Sequence, residues 1–224
     1  MALSAEWKAS GSAIVLVVDL SAQGEPVAGP RRPGRAPVTT HGELSRIALE
    51  LFLAKGFDET TMDDVALAAG IGRRTLFRYF PSKNDLPWGD FDALIAAMRV
   101  RLAASPPDQS LIEAIVGAII DFNRFPAHEV PLHRERMRLL LHVPSLAAHS
   151  TLRYAAWRQA IADYAAARLG TQASALEPQA IAWACLGLCV AGYEHWLTDD
   201  DLDLLTVLET AFAQSRAVFG DSAP

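Results

Sequence analysis

Five residues within seven positions carry the chemistry of this chain: Arg73, Arg74, Thr75, Arg78 and Tyr79. On the outer face of a short helix they would recognise nucleic acid. Guanidinium groups offer paired donors to guanine edges in a major groove and to backbone phosphates, and hydroxyls add further contacts. Leu76, Phe77 and Phe80 fall at the spacing of an inward face, and Pro81 stops the helix. The plainer reading is a solvated helix face that happens to hold arginines. The preceding residues weigh against it. Thr61 is placed to cap an earlier helix, with Asp64 three residues on, where a first-turn carboxylate helps. Val65, Ala66 and Ala69 share a face, Gly70 stands where a left-handed residue closes a helix, and Gly72 opens the next. Two short helices joined by a glycine turn, the second one basic, make a helix-turn-helix.

Such a pair needs support on both sides. Upstream, Thr39 or Thr40 caps a helix with Glu43 set for a capping box; Ile47, Ala48, Leu51 and Phe52 form its inner stripe, Gly56 ends it and Phe57 returns to the core. A unit of about 45 residues has little core of its own and must lean on the helix downstream of it. That helix reads as starting near Ser82 and Lys83 and running through Trp88, Phe91, Leu94, Ile95 and Met98, with Lys83 and the helix N-terminus as a phosphate site.

The net charge of −6 looks wrong for a partner of DNA until it is divided along the chain. Residues 31–83 hold nine Lys/Arg against six Asp/Glu; residues 84–224 hold ten against seventeen; residues 1–30 hold one against three. A basic module is joined to an acidic one, and phosphate attraction follows local charge. Gly24 to Pro37 is rich in glycine and proline and reads as a linker, with Arg31, Arg32 and Arg35 as a basic arm suited to a minor groove, or as a plain tail. The apolar run at residues 13–20 could be a strand or a signal-peptide core; Lys8 is the sole base before it, which argues against export.

The run Gly70-Ile71-Gly72-Arg73-Arg74-Thr75-Leu76-Phe77-Arg78-Tyr79-Phe80-Pro81-Ser82-Lys83, with Leu86 just beyond it, closely resembles the DNA-binding signature of the Tet repressor family. The resemblance covers Thr40 to Leu86. It implies a dimeric regulator of transcription in which Thr61, Tyr79 and Lys83 meet phosphates and Arg73, Arg74 and Thr75 form the groove-facing start of the reader. Gly72 stands where that family usually has Ser, and Phe77 where it usually has Tyr. A narrower likeness over Arg32 to Phe219 rests on residues 39–52, residues 72–91, residues 131–141 and residues 149–158. It is to a branch of the family that represses the genes for a peptide-derived redox cofactor, and it implies a fatty acyl-thioester effector such as long-chain acyl-CoA.

The rest of the chain reads as all-α, about nine helices in total, because alanine and leucine dominate and strand-like runs are scarce. The expected division is residues 1–38 as an extension with a basic arm, 39–86 as the helix-turn-helix domain, and 87–224 as an effector-binding and dimerisation domain. Helices are expected near residues 110–124, 131–142, 145–169, 178–198 and 202–219, the last capped by the acidic turn at residues 199–201. Phe91, Met98, Phe122, Tyr154, Trp157 and Trp183 are candidates for an apolar pocket wall, with Arg158, Arg153, Arg136 and Arg138 at its mouth; each is individually more often core or surface. Leu186, Val190, Leu204, Leu208 and Phe212 are candidates for a homodimer interface, since one reader covers few base pairs and two on a palindromic double-stranded operator stand about 34–36 Å apart. The segment His133-Arg134-Glu135-Arg136 reads as an exposed helix face. Cys185 and Cys189 read as small buried hydrophobes, without the ligands a metal would need, and a reducing cytoplasm fits them. No run of 18 apolar residues could span a membrane, and no nucleophile, phosphate-loop or zinc-protease signature points to an enzyme. An acyl-thioester-binding protein without a regulatory role is the alternative.

Overall fold

The computed structural model describes residues 40–220, with side chains through Arg216. The extension at residues 1–38, including Arg35, lies outside the described residues. Every regular element among those described is helical: α1 His41–Lys55, α2 Met62–Ala68, α3 Arg73–Tyr79, α4 Phe91–Ala103, α5 Leu111–Phe122, α6 Val130–His142, α7 Pro144–Leu169, α8 Leu176–Trp196 and α9 Leu204–Gly220. A 3-10 turn, Lys83–Trp88, stands between α3 and α4.

Local chemistry sets these boundaries. Thr40 and Glu43 form a reciprocal capping box at α1, and Ser110 and Glu113 form one at α5. Gly170 ends α7 with φ 67°, in the left-handed region. Pro87 and Gly89 break the expected continuous helix after the reader, so α4 begins only at Phe91, with Asp90 accepting from the Ala93 amide. At α9 the cap is Asp203, which accepts from the amide and hydroxyl of Thr206, rather than the acidic turn before it.

α1 buries Leu44, Ala48, Leu49 and Phe52, leaving Ile47 and Leu51 half-buried at the flanks, so its inner stripe is rotated from the expected one. Phe57 returns to the core edge-on to Phe52. α1 rests on the 3-10 turn and on α6. The larger domain is built on α7, which packs against α8, α4 and α6, while α9 covers α8 and touches α5. Gly192 on α8 lies close enough to α9 that an added Cβ would sit 2.7 Å from Leu208 Cδ2.

Residues 133–136 depart most from the sequence expectation. His133 and Arg134 are buried, 5% and 6% exposed. The Arg134 guanidinium donates to the carbonyls of Trp196, Asp199, Asp200 and Leu202 and lies 4.0 Å from the Trp196 ring centroid. The last carbonyl of α8 has no intrahelical partner, and this cation from α6 takes it up together with three carbonyls of the connection to α9. Arg134→Met is therefore expected to remove about 3 kcal/mol of stability, because it strands the buried Trp196 carbonyl and loses the stacking on the Trp196 ring, as read from urea unfolding.

Candidate nucleic-acid interface and effector cavity

The turn of the helix-turn-helix is a Schellman closure. The Ile71 amide donates to the Ala66 carbonyl and the Gly70 amide to the Leu67 carbonyl, with Gly70 at φ 65°. Thr61 accepts from the Asp64 amide and donates to its carboxylate, while Gly72 opens α3 with no side-chain cap. The hydrogen bonds from the Thr61 backbone and hydroxyl hold the Asp64 carboxyl down at about 2.

Leu76 and Phe80 pack inward as expected, but Phe77 is 37% exposed beside the Arg73 guanidinium. In a helix, i+1 lies about 100° round from Leu76, so the face that buries Leu76 and Phe80 cannot also bury Phe77. Arg73, Arg74 and Arg78 are exposed, with Thr75 and Tyr79 half-buried beside them. Arg73 is tied back to Asp63 of α2 at 2.9 Å, Arg78 lies over the Tyr79 ring, and Tyr79 meets His41 edge-on. Arg74 has no hydrogen-bond or ion-pair partner among the described residues. Lys83 is turned inward: its ammonium donates to the carbonyls of Phe57 and Asp58 and lies over the Phe57 ring. The N-terminus of the 3-10 turn is not an open phosphate site either, since Ser82 and Asp85 cap each other.

Asp85 joins the two parts of the molecule. One oxygen accepts from the amide and hydroxyl of Ser82, at the reader's end of the turn. The other accepts from His149 Nε2 at 2.9 Å and Arg153 at 2.7 Å, both on α7. Burial by itself raises the Asp85 carboxyl, but the hydrogen bonds from Ser82, Arg153 and His149 outweigh it and hold the group below its ordinary value. Two residues along the same turn, Pro87 and Trp88 face a cavity.

That cavity lies among α4–α8, opens to solvent and has about 80 Å³ of room for water-sized molecules. Its wall includes a chain of edge-to-face aromatic pairs: Tyr154 with Trp88, Trp88 with Phe91, Phe91 with Phe122, and Phe122 with Trp157. Four predicted wall residues, Phe91, Phe122, Tyr154 and Trp157, are thus brought together. Met98 is buried on α4 but outside the lining, and Trp183 is 56% exposed on the outer side of α8, with the Arg158 guanidinium stacked 3.4 Å from its ring centroid. Arg153 is committed to Asp85, and Arg138 to Glu135 and Asp200. Of the four arginines expected at the mouth, Arg136 alone lines the cavity. Asn123, His133 and Tyr193, none of which was singled out for a ligand, line it too; their polarity in a buried helical context was the available signal.

The expected dimer residues fall elsewhere. Leu204, Leu208 and Phe212 are buried within the subunit, and Leu186 and Val190 line the cavity. α8 spends most of its large apolar side chains on its neighbours, Leu176 and Trp183 excepted. The outward face of α8 carries Ala180, Ala184, Gly187 and Ala191 instead, all exposed. Cys185 and Cys189 are buried, and burial pushes the Cys185 thiol up to about 12, so neither is a ready thiolate. No group of acidic, His and Cys side chains among the described residues is arranged for a metal ion, and no described helix is long and apolar enough to cross a membrane.

Residues 46–86 match the family model of bacterial regulatory proteins, tetR family, and residues 109–220 match that of the MftR C-terminal domain. A protein of Mycobacterium tuberculosis named for mycofactocin biosynthesis transcriptional regulation, MftR, is 44% identical over 181 residues, 81% of this chain and 91% of that protein. The HTH-type transcriptional regulator TcmR of Streptomyces glaucescens is 32% identical over 189 residues, 80% and 83% of the two chains. Among solved structures, Thermus thermophilus FadR, a TetR-family repressor in complex with lauroyl-CoA, shares the fold with a TM-score of 0.53 at 22% identity, covering 82% of this chain and 96% of that one.

Asp85 is the group whose titration tests the join between reader and cavity domain. Its folded value is depressed, so its stabilisation is complete above the ordinary 3.8 and is lost as pH falls through the folded value. Asp85→Asn is expected to cost about 3 kcal/mol at pH 7. In melts run at successively lower pH, the gap to the wild type should close below the ordinary carboxylate range.

Proposed function

The chain belongs to the tetR family of bacterial regulatory proteins and is a transcriptional regulator related to MftR, and from that premise we propose that it is a dimeric repressor of a mycofactocin-type gene cluster, released from its operator by a fatty acyl-CoA-like effector. The observation that carries this reading is the six-residue turn Lys83–Trp88. Its first residue bonds the corner between α1 and α2, its third is the buried carboxylate bonded to α7, and its last two form cavity wall. A ligand that moves Trp88 acts on the segment that holds the reader.

In this reading Arg74 meets a base edge, since its side chain is uncommitted, and Arg73, Thr75 and Arg78 flank it. Thr61, Tyr79 and Lys83 serve the phosphates, with Lys83 also holding the corner after α1 and keeping one donor for DNA. The basic arm with Arg35 adds minor-groove contact. Residues 39–86 act as the reader and residues 87–224 as the effector and dimer domain. The aromatic wall and the lauroyl-CoA seen in the Thermus thermophilus FadR complex both support an acyl chain as the occupant. Release requires only that the ligand prefer one arrangement of the turn, with a coupling of about 1–3 kcal/mol.

A second copy fits on the outward face of α8. Ala180, Ala184, Gly187 and Ala191 recur at intervals of four, three and four, which lets two helix backbones approach closely. An added Cβ at Gly187 would meet nothing within 4 Å inside the subunit. Gly187→Arg is expected to halve the mass found by sedimentation equilibrium while leaving the helical circular dichroism unchanged.

The reading as a whole is tested by gel-shift titration with the DNA upstream of the chain's own gene. Specific, salt-sensitive retardation is expected, reversed by acyl-CoA in a chain-length-dependent manner. Arg74→Ala should lose about 1–3 kcal/mol on the operator and less on random DNA. Retention of the operator by the protein at every chain length would overturn the effector; absence of retardation would leave only a ligand-binding helical protein.

A further inference from the structure

The polar corner of the cavity has a defined direction of hydrogen bonding. The Asn123 amide nitrogen donates to the Ile119 carbonyl at 2.8 Å, and a carbonyl can only accept, so the Asn123 oxygen is left as an acceptor. It receives the Tyr193 hydroxyl at 2.5 Å. That uses the single Tyr193 proton. The 3.0 Å contact between Tyr193 and His133 Nε2 must therefore run from the imidazole N–H to the phenol oxygen. Burial, with the Arg136 charge beside it, pushes the His133 imidazole down to about 3, so the ring is neutral and Nδ1 is a bare lone pair. Nδ1 is buried and has no partner among the described residues. Arg136, on the same helix and also lining the cavity, presents a buried Nε–H that is likewise without a partner among them.

We propose that this corner selects an apolar ligand bearing a hydroxyl, or another group that both gives and accepts one hydrogen bond, with its proton directed to His133 Nδ1 and its oxygen accepting from Arg136 Nε. The proposal rests on the reading of the cavity as the effector site and narrows its ligand class. A carboxylate or a plain ester satisfies Arg136 but sets lone pairs against lone pairs at His133. An ether does the same. A hydroxyl serves both atoms at once, and among acyl chains it singles out hydroxylated ones. Leaving a buried acceptor unmet is what penalises the others.

The test compares 1-decanol, its methyl ether and decanoate on the full chain. Binding is followed by calorimetry and by the fluorescence of Trp88 and Trp157, which form part of the wall. The alcohol is expected to bind roughly tenfold more tightly than the ether, and more tightly than decanoate. His133→Phe should bring the alcohol-to-ether ratio close to one; the wild-type ratio stands by itself if that variant melts early. Ether or decanoate binding as well as the alcohol, with tryptophan fluorescence responding to each, overturns the donor requirement and leaves the cavity as the effector site. If these ligands and long-chain acyl-CoA all leave the fluorescence unchanged, the effector-site reading falls and the proposal with it.

Discussion

A buried carboxylate is costly unless every lone pair that loses water finds a donor. Asp85 meets that condition with donors from both sides of the molecule: Ser82 from the reader's end, His149 and Arg153 from α7. The constraint is mutual. Moving the turn away from α7 would strand the carboxylate, and moving α7 would strand two cationic or polar donors. The helix-turn-helix is thereby held to the larger domain by a directional contact rather than by apolar packing alone, which is non-directional. A domain with as small a core as α1–α3 gains its fixed orientation from this join and from α1 lying on the turn and α6.

The cavity adds a second demand on the same turn. Trp88 packs edge-on to Phe91 and to Tyr154, so the aromatic wall and the carboxylate join meet in one six-residue turn. Close-packed interiors respond to an added group by shifting between discrete arrangements rather than by yielding locally. Gly89, at φ 59° directly after the turn, marks the break between that turn and α4.

Polar groups in the larger domain are arranged in the same way. Arg134 closes the end of α8 by donating to four carbonyls. Asn123, Tyr193 and His133 pass hydrogen bonds in one direction between α5, α8 and α6. Such networks give the helices a unique register where Leu and Ala alone would allow sliding. The helix-turn-helix obeys the opposite rule: α3 keeps Arg74 uncommitted and exposed, while Arg73 and Lys83 are engaged within the domain.

Much was legible in the sequence. The spacing of Ala48 and Phe52, the caps at Thr40 and Thr61, and the stops at Gly70 and Pro81 are local signals, decided within one turn of backbone, and they determine where α1 and the helix-turn-helix form. Residue types on a short helix likewise marked α3 as basic, and its three arginines are exposed. Features that depend on distant partners were decided only by the tertiary structure. Arg134 and His133 read as surface because charge and polarity predict exposure; the carbonyls and phenol that bury them come from residues about sixty positions away. Trp183 and Met98 have the side chains of a pocket wall, and Leu208 and Phe212 those of a dimer face, but which side of a helix faces a cavity, a neighbour or solvent is set by how the helices cross. Asp85 shows the limit most plainly: its capping of Ser82 lies three residues away in sequence, whereas its bonds to His149 and Arg153 exist only because the fold brings α7 beside the turn.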